Sequence, residues 1–286
     1  MDYARYIKWI PDKIFLQLKY RYWMGHRLHL ENPKTFAEKL QWMKIYDRNP
    51  IYVTMVDKYD AKEYVGNLIG EEYIVPTYGV WNSFKEIDFD SLPDSFALKC
   101  THDSGGNVMV SNKKNMNIVD AKKKIERCLG YNYFYHNREW SYNNVKPRVL
   151  AEEFLDNDGQ EMVDYKFFCF GGIPKFLYVS QGMTDHTKAR MCFMKMDWTP
   201  APFTRKDYKA YEGVPEKPVC FDEMVEIAKR LSKGYRFLRI DLYCHKGRVY
   251  FSEITILPNG GFMHFYPEKY NRIIGSWLDT SHPYMG

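Results

Sequence analysis

The sequence predicts an α+β fold in which two lobes follow a helical N-terminal segment. Three observations support this prediction. The first fifty residues are amphipathic at helical spacing, helical stretches alternate with short β-rich runs from residue 51 onward, and 45% of the 286 residues are hydrophobic. We expect the helical segment at residues 1–50, a first lobe at 51–150 and a second lobe at 151–286.

The N-terminal segment contains two predicted helices. Pro11 marks the start or a break of the first, and Thr35 with Glu38 three residues later predicts a capping box at the start of the second. The tryptophans, tyrosines and basic residues here suit either docking on the lobes or lying on a membrane surface. The apolar residues spaced for one face of the first helix are Ile7, Ile10, Ile14, Leu18 and Tyr22.

Beyond this segment, hydrophobic periodicity predicts strands separated by helices. The strands are expected at residues 95–100, 107–110, 148–154, 165–170, 175–180, 237–243 and 248–255. The helices are expected near residues 56–65, 120–129 and 221–231.

Composition and charge argue against several classes of protein. A formal net charge of +5 is well short of the concentrated basic stripe of a nucleic-acid binder and fits a small anionic substrate better. No apolar run approaches the roughly 20 residues that cross a bilayer, and the start lacks a signal-peptide pattern, so we expect a cytoplasmic protein. The six cysteines stand singly, which predicts reduced, mostly buried thiols rather than a zinc site or a disulfide framework.

A lysine followed by a glycine-containing turn forms the first candidate site. Lys99 ends a predicted strand, and Ser104, Gly105 and Gly106 follow before a second β-rich run. The glycines are expected to take positive φ and to let backbone N–H groups cradle phosphate oxygens, with Lys99 as a point charge beside them. A purely structural Gly-Gly hairpin is the alternative, and the sequence has no G-x-x-x-x-G-K-[ST] motif.

Paired carboxylates end the next predicted strand. Glu152 and Glu153 follow an apolar run and precede Phe154 and Leu155. The backbone at such a crossing from strand to loop can mimic a base pair toward adenine, and Glu152 can accept from the exocyclic amine. A solvated strand edge is the alternative.

Two acidic residues lie in the last predicted hairpin. Asp241 and Glu253 are twelve positions apart on adjacent antiparallel strands, and Arg239 shares a strand face with Asp241. Carboxylates placed in this way suit a hard cation such as Mg²⁺, held between protein and phosphate. The alternative is a cross-strand salt bridge with Arg239.

In this order the three sites resemble those of the ATP-grasp superfamily, and more closely its teichuronopeptide-biosynthesis (TupA-like) branch, which is usually found in surface-polysaccharide pathways. The resemblance covers nearly the whole chain and implies an ATP-grasp fold, in which two α+β lobes clasp ATP. Its motifs are N-P-K-T-F at 32–36 with E-K-L-Q-W at 38–42, V-D-K-Y at 56–59, L-K-C-T-H at 98–102 with S-G-G at 104–106, R-E-W at 138–140, D-Y-K-F at 164–167 and R-I-D-L-Y at 239–243.

The resemblance assigns a nucleotide site residue by residue. Lys58 and Lys99 match the two lysines that hold ATP phosphates, and residues 104–106 match the lid loop. Glu152 and the backbone of residues 153–155 match the adenine hinge. Asp164 and Lys166 match a motif that either meets the ribose hydroxyls and phosphates or pairs structurally across one strand face.

The resemblance also assigns a metal site. Asp241 and Glu253 match the metal carboxylates, and Arg239 is placed to steady the transferring phosphoryl group. Many ATP-grasp enzymes have Asn two residues after the glutamate, where this chain has Thr255. Either the Thr255 hydroxyl or Asn259 then completes the site.

Two basic residues are candidates for substrate binding. Lys188 and Arg190 lie in a polar segment, where they either clamp an acidic acceptor or are solvated surface residues.

The resemblance implies a carboxylate–amine ligase that uses ATP and Mg²⁺ and acts through an acyl phosphate. Its expected substrates are a uronic acid of a surface or capsular polysaccharide and an amino acid or small amine. The N-terminus is a candidate contact with the inner face of the membrane or with a polysaccharide-assembly complex. The alternatives are a glycosyltransferase, for which Asp156-Asn157-Asp158 fits a D-x-D pattern, a phosphotransferase, and a catalytically silent binding module.

Overall fold

The computed structural model describes residues 8–103, 105–157, 162–182 and 189–284. The helices are α1 (Asp12–Met24), α2 (Phe36–Tyr46), α3 (Ile51–Val56), α4 (Asp60–Ile69), α5 (Ile118–Leu129), α6 (Phe134–Asn137), α7 (Phe221–Ser232) and α8 (Lys269–Trp277). The strands are β1 (Thr77–Trp81), β2 (Phe96–Cys100), β3 (Val108–Val110), β4 (Val149–Glu153), β5 (Asp164–Phe170), β6 (Ile173–Gln181), β7 (Arg190–Lys195), β8 (Lys209–Ala210), β9 (Phe237–His245) and β10 (Arg248–Thr255). This mixture of helices and strands confirms the predicted α+β class.

The strands form two sheets. The first has four antiparallel strands in the order β1-β4-β2-β3, and α5 packs on it. The second has six strands in the order β10-β9-β5-β6-β7-β8, antiparallel except for β7 and β8, and α7 covers one face of it. Strand β4 runs across the predicted lobe division at residue 151, and it pairs only within the first sheet. The three-part division stays a prediction.

The capping box at the start of α2 is confirmed. The Thr35 Oγ1 accepts the backbone N–H of Glu38 at 3.3 Å, and the Glu38 carboxylate accepts the backbone N–H of Thr35 at 2.9 Å. Two backbone donors that the first turn would otherwise leave free are thereby satisfied. This local signal correctly predicts where α2 begins.

The predicted buried face of α1 is wrong. The helix follows Pro11 as expected, but it buries Phe15, Leu16 and Tyr20, while Ile14 and Leu18 point to solvent. Apolar residues lie on several sides of this helix, so spacing alone does not decide which side packs. Of the other residues assigned to that face, Tyr22 is exposed and Ile7 lies outside the described residues.

The N-terminal helices share one hydrophobic core with the second sheet. Phe36 of α2 lies against the rings of Phe168, Phe170 and Phe237, at centroid distances of 5.2 to 6.4 Å. A smaller, separate core lies between the first sheet and α5. The N-terminal segment is therefore part of the main core.

Several element predictions need correction. The single helix expected near residues 56–65 is two helices, α3 and α4, because Asp57 Oδ1 accepts the backbone N–H of Tyr59 at 2.8 Å and of Asp60 at 3.2 Å, which starts a new helix. Periodicity missed β1, β7, β8 and α8. The last hairpin was well predicted, since β10 has the expected bounds and β9 is two residues longer.

The expectation of reduced thiols throughout is also wrong. Cys220 and Cys244 are joined in a disulfide, with Cα atoms 6.4 Å apart, whereas Cys100, Cys128 and Cys169 are free and buried. The two bonded cysteines are 24 residues apart, and they meet because the start of α7 lies beside the end of β9. None of the described helices has the length and apolar character needed to cross a bilayer.

Candidate active site

A buried glutamate lies between two lysines in the first sheet. Glu152 is on β4, and its carboxylate binds Lys62 at 2.6 Å through one oxygen and Lys99 of β2 through the other. Lys62, on α4, also donates to the Val75 carbonyl at 2.7 Å and to the Thr77 hydroxyl at 3.0 Å. The lysines occupy the oxygens that the predicted adenine contact would use.

Charge is retained in this group despite its burial. Burial alone raises the pKa of Glu152, but Lys99 and Lys62 outweigh it, and the pKa is lowered. Burial lowers the pKa of Lys99, but Glu152 outweighs this effect and raises it. The sequence analysis missed Lys62. Lys62 follows Lys58 by four residues, about one helical turn, and this spacing was the available signal that the two lysines lie near each other.

Lys58 holds the loop that follows β2. Its backbone N–H donates to the Thr101 carbonyl at 2.9 Å, and its ammonium donates to the carbonyl of Asp103. Ser104 lies outside the described residues, and Gly105 follows it. Lys58 therefore connects the segment before α4 with the loop that leads to Gly105.

The expected positive φ of Gly106 is wrong, because this residue is not in the left-handed region, and that of Gly105 stays a prediction. Gly106 is instead needed for space. A Cβ at this position would lie 2.9 Å from the Cβ and Sγ of Cys100, whereas the nearest atom to a Cβ on Gly105 is 3.8 Å away. Of these two glycines, only Gly106 is required by packing.

The second sheet places Asp241 and Glu253 directly opposite each other on β9 and β10. Arg239 binds both carboxylates, Asp241 through two bonds of 2.7 and 2.6 Å and Glu253 at 2.9 Å. Lys166 of β5 binds Asp241 at 2.7 Å and Asp164 at 3.1 Å. The cross-strand salt bridge and the structural pairing of Asp164 with Lys166, both open alternatives from the sequence, are therefore present.

The two opposed carboxylates differ in their titration. Burial dominates at Asp241 and raises its pKa, although Arg239 and Lys166 oppose this effect. Desolvation also opposes ionisation of Glu253, but Arg239, Lys166 and Lys58 together lower its pKa to about 2.

Lysines on and beside the first sheet interact with acidic groups of the second sheet. Glu253 and Tyr243 of the second sheet both act on the pKa of Lys99, and Lys58 acts on Glu253. Such interactions require Lys58 and Lys99 to lie close to Glu253 of the second sheet. The resulting charged cluster consists of Lys58, Lys62, Lys99, Lys166 and Arg239 with Glu152, Asp164, Asp241 and Glu253.

The donor set around Glu253 fits a hard cation. Two carboxylates lie in register, and the Thr255 hydroxyl donates to Glu253 at 3.3 Å. No group of three His, Cys, Asp or Glu side chains among the described residues could hold a metal. A site with two protein carboxylates suits Mg²⁺, which takes much of its coordination from phosphates and water. Asn259 is less well placed, because its amide donates to the Phe262 carbonyl at 3.4 Å.

An unusual turn follows the metal-site candidates. Asn259, Gly260 and Gly261 are all left-handed, with φ of 54°, 58° and 77°. The buried ammonium of Lys44 donates to the Gly260 carbonyl at 2.6 Å, and the Gln41 amide donates to the Gly261 carbonyl at 2.7 Å. Both side chains belong to α2, so the N-terminal segment fixes the turn that leaves β10.

The remaining predicted residues are more peripheral. Glu153 is half-buried at the end of β4, where its backbone N–H donates to the Pro76 carbonyl at 2.9 Å, and Phe154 and Leu155 follow it outside any strand. Arg190 forms an ion pair with the exposed Glu212 on the surface, and Lys188 lies outside the described residues. The structure does not bring Arg190 into the charged cluster.

Cavities adjoin two different parts of the described chain. A cavity of about 590 Å³ between α1, α2 and α8 shares no residue with the charged cluster. The second, of about 430 Å³, is lined by Tyr59, Lys62 and Thr77 among others, and so adjoins the cluster at Lys62. The larger cavity is therefore not the place where the charges meet.

The sequence profile of the TupA-like ATP-grasp family matches residues 38–279. The chain belongs to this family. Every motif residue of the charged cluster falls within the match, and the predicted family is confirmed. No curated protein matches this TupA-like chain.

Solved structures agree with the family at the level of the fold. D-Alanine–D-alanine ligase from Helicobacter pylori matches with a TM-score of 0.50 and 17% identity, over 85% of this chain and 69% of that one. D-Alanine–D-alanine ligase from Bacillus anthracis complexed with ATP matches with a TM-score of 0.40 and 15% identity, over 72% of this chain and 54% of that one. The family match and the first of these structures confirm the predicted ATP-grasp fold of the TupA-like chain.

Proposed function

We propose that this TupA-like protein is an ATP-dependent carboxylate–amine ligase. The observation that carries the proposal is the approach of Lys58, between α3 and α4, and of Lys99, on β2, to Glu253, which lies opposite Asp241 in the second sheet. Fixed cations facing an acidic metal-binding pair suit a nucleotide triphosphate bound between two lobes. Membership of the ATP-grasp family and the similarity to a ligase support the same class.

The lysines would bind the phosphates of ATP. Glu152 holds the ammonium of Lys99 in place, and Lys58 is fixed by its bond to the loop carbonyl of Asp103. Such preorganised charge costs no rearrangement when the phosphates arrive. The backbone of residues 153–155 would contact adenine, and residues 104–106 would close over the phosphates and exclude water.

Asp241, Glu253 and Thr255 would hold Mg²⁺ against the phosphates. When bound, the ion supplies positive charge for the oxygens between the β and γ phosphorus atoms. Arg239 lies between the two carboxylates and would turn one donor group toward the γ-phosphoryl group. Lys166 stays paired with the buried Asp241 while Arg239 turns toward the phosphoryl group.

The reaction would proceed in two steps. A carboxylate oxygen of the substrate attacks the γ-phosphorus, the bond to the β-phosphate oxygen breaks, and ADP leaves an acyl phosphate behind. The amine then attacks the acyl carbon, phosphate leaves, and the amine loses a proton. Exclusion of water protects the acyl phosphate from hydrolysis.

The proposed substrates are a uronic acid of a surface polysaccharide or its precursor and an amino acid or small amine, in the cytoplasm. Lys188 and Arg190 would contact the acidic acceptor. Arg190 is available for this role because its ion pair with Glu212 lies at the surface, where such pairs are weak and exchange readily.

Trapping by hydroxylamine tests the proposal. With ATP, Mg²⁺, a uronic acid and hydroxylamine in place of the amine, a ligase should release ADP and form a hydroxamate, because hydroxylamine attacks an acyl phosphate. A phosphotransferase acting on an alcohol would release ADP without hydroxamate, and a glycosyltransferase would produce neither. ADP release with a productive acceptor but no hydroxamate from any carboxylate would replace amide ligation by phosphotransfer.

A further inference from the structure

One side of α1 carries apolar side chains into solvent. Ile14, Leu18 and Tyr22 lie four residues apart along one stripe of the helix and are 53%, 61% and 82% exposed. Trp9, before the helix, and Trp23, near its end, are 80% and 63% exposed. Single exposed apolar residues are ordinary, but five within fifteen residues indicate an interaction site. We name these five residues the α1 apolar surface.

The opposite side of α1 fixes its orientation. Phe15, Leu16 and Tyr20 are buried in the main core. Lys19 donates to the His136 carbonyl at 2.5 Å and to the Asn137 side chain at 2.7 Å. The helix is therefore anchored from behind, and the α1 apolar surface faces outward without any rearrangement.

The surroundings of this surface are basic. Lys8, Lys13, Arg21 and Arg27 are all exposed. Asp12 is the only acidic residue in residues 8–30, and it is already paired with Arg138 at 3.2 Å and Arg48 at 3.6 Å. An approaching partner meets apolar and aromatic groups flanked by uncompensated positive charge.

We propose that α1 lies in the plane of an anionic membrane surface and attaches the protein to it. Tryptophan and tyrosine favour the headgroup region, Ile14 and Leu18 would enter the acyl boundary, and the basic side chains would face lipid phosphates. At 13 residues the helix is about 20 Å long, too short to span a bilayer but suited to lie on one. The same charges would repel each other across an interface with a second copy, which favours lipid.

Vesicle sedimentation tests the proposal. The full-length protein should sediment with vesicles of phosphatidylcholine and phosphatidylglycerol, at about two to one, and much less with phosphatidylcholine alone. The double variant Leu18→Ser/Tyr22→Ser should partition at least about tenfold more weakly. Ile118→Ser/Val119→Ser, which removes two exposed apolar side chains from α5, is the matched control and should bind like the wild type. Equal melting temperatures of the variants establish that the fold is intact.

A charge-reversed variant separates the electrostatic contribution. Lys13→Glu/Arg21→Glu should lose binding to anionic vesicles, and added salt should weaken the wild type in the same way. The proposal is overturned if the wild type stays in the supernatant with anionic vesicles, or if the α5 control loses as much binding as the α1 variant. It is also overturned if sedimentation velocity shows a dimer that the α1 variant dissociates while vesicles bind neither protein, because a second copy would then be the occupant.

Discussion

Asp241 lies directly opposite Glu253 in the β9–β10 ladder, yet the two carboxylates have different environments. Asp241 is completely buried and forms ion pairs with Arg239 and Lys166, whereas the Glu253 side chain is 37% exposed and forms an ion pair with Arg239. One carboxylate therefore neutralises buried cations, and the other is open to ligands. The two should respond differently to substitution.

Replacement by the isosteric amide should destabilise the protein more at Asp241 than at Glu253. Asp241→Asn leaves Lys166 and Arg239 buried without their counter-charge, which costs about 3–5 kcal/mol of unfolding free energy. Glu253→Gln removes a partner whose interactions are partly screened by solvent, so it should cost less than Asp241→Asn. Urea denaturation of both variants measures the difference. Equal losses would contradict the assignment of separate roles.

Turnover should fall in the stable variant. Because Glu253 is proposed to hold Mg²⁺ during phosphoryl transfer, Glu253→Gln should reduce ADP release by at least about a hundredfold. A melting temperature of Glu253→Gln well above the assay temperature excludes a loss of fold as the explanation. Near-normal turnover in Glu253→Gln would remove the metal from this position.

The lysine on β2 should contribute to nucleotide affinity. Lys99→Met removes a fixed cation from the phosphate site, so ATP should bind at least about tenfold more weakly in calorimetry. Lys122→Met is a suitable control, since Lys122 is an exposed lysine on α5 with a loose ion pair to Glu126 at 4.0 Å. If Lys99→Met binds ATP like this control, the nucleotide site lies elsewhere.

The two glycines of the loop should differ in their tolerance of a methyl group. Gly106→Ala forces a Cβ against Cys100 and should destabilise the protein by about 1–3 kcal/mol. Gly105→Ala meets no close atom and should leave the melting temperature within error of the wild type. The reverse order of stabilities would show that the loop packs differently.

Acid should weaken the fold partly through Glu253. Its pKa is about 2 in the folded protein against an ordinary value of 4.5, so the unfolded chain binds the proton first as the pH falls. Stability from this group is present above pH 4.5 and is lost as the pH falls toward 2. The melting temperature of Glu253→Gln should therefore decline less steeply across this window. Parallel profiles for the two proteins would exclude a depressed pKa at this residue.

The features that the sequence predicted well are local ones. The capping box depends on Thr35 and Glu38, which are three positions apart. The β9–β10 hairpin depends on two β-rich runs that are joined by a short turn. Both are determined by neighbours along the chain. The opposition of Asp241 and Glu253 depends in addition on a register shift between Phe251 and Glu253, without which Ser252 would lie opposite Asp241.

Features that depend on how distant segments pack together could not be predicted from the sequence. Lys62 reaches Glu152, ninety residues away, only because the fold brings the two segments together, and no periodicity shows such a contact. The apolar side chains of α1 surround much of the helix, so its buried side is selected by the core it meets. The Cys220–Cys244 bond has the same origin, since two distant segments had to be placed side by side.

The left-handed turn at residues 259–261 ties the beginning of the chain to its end. Lys44 and Gln41 emerge from the ribosome more than 200 residues before the carbonyls they bind at Gly260 and Gly261. Contacts so distant in sequence form late in folding. A nascent chain interrupted before this turn already contains Lys58, Lys99 and both opposed carboxylates, but it lacks the connection that holds the end of β10 against α2. The residues of the charged cluster are therefore all synthesised before the part of the chain that fixes their last strand in place.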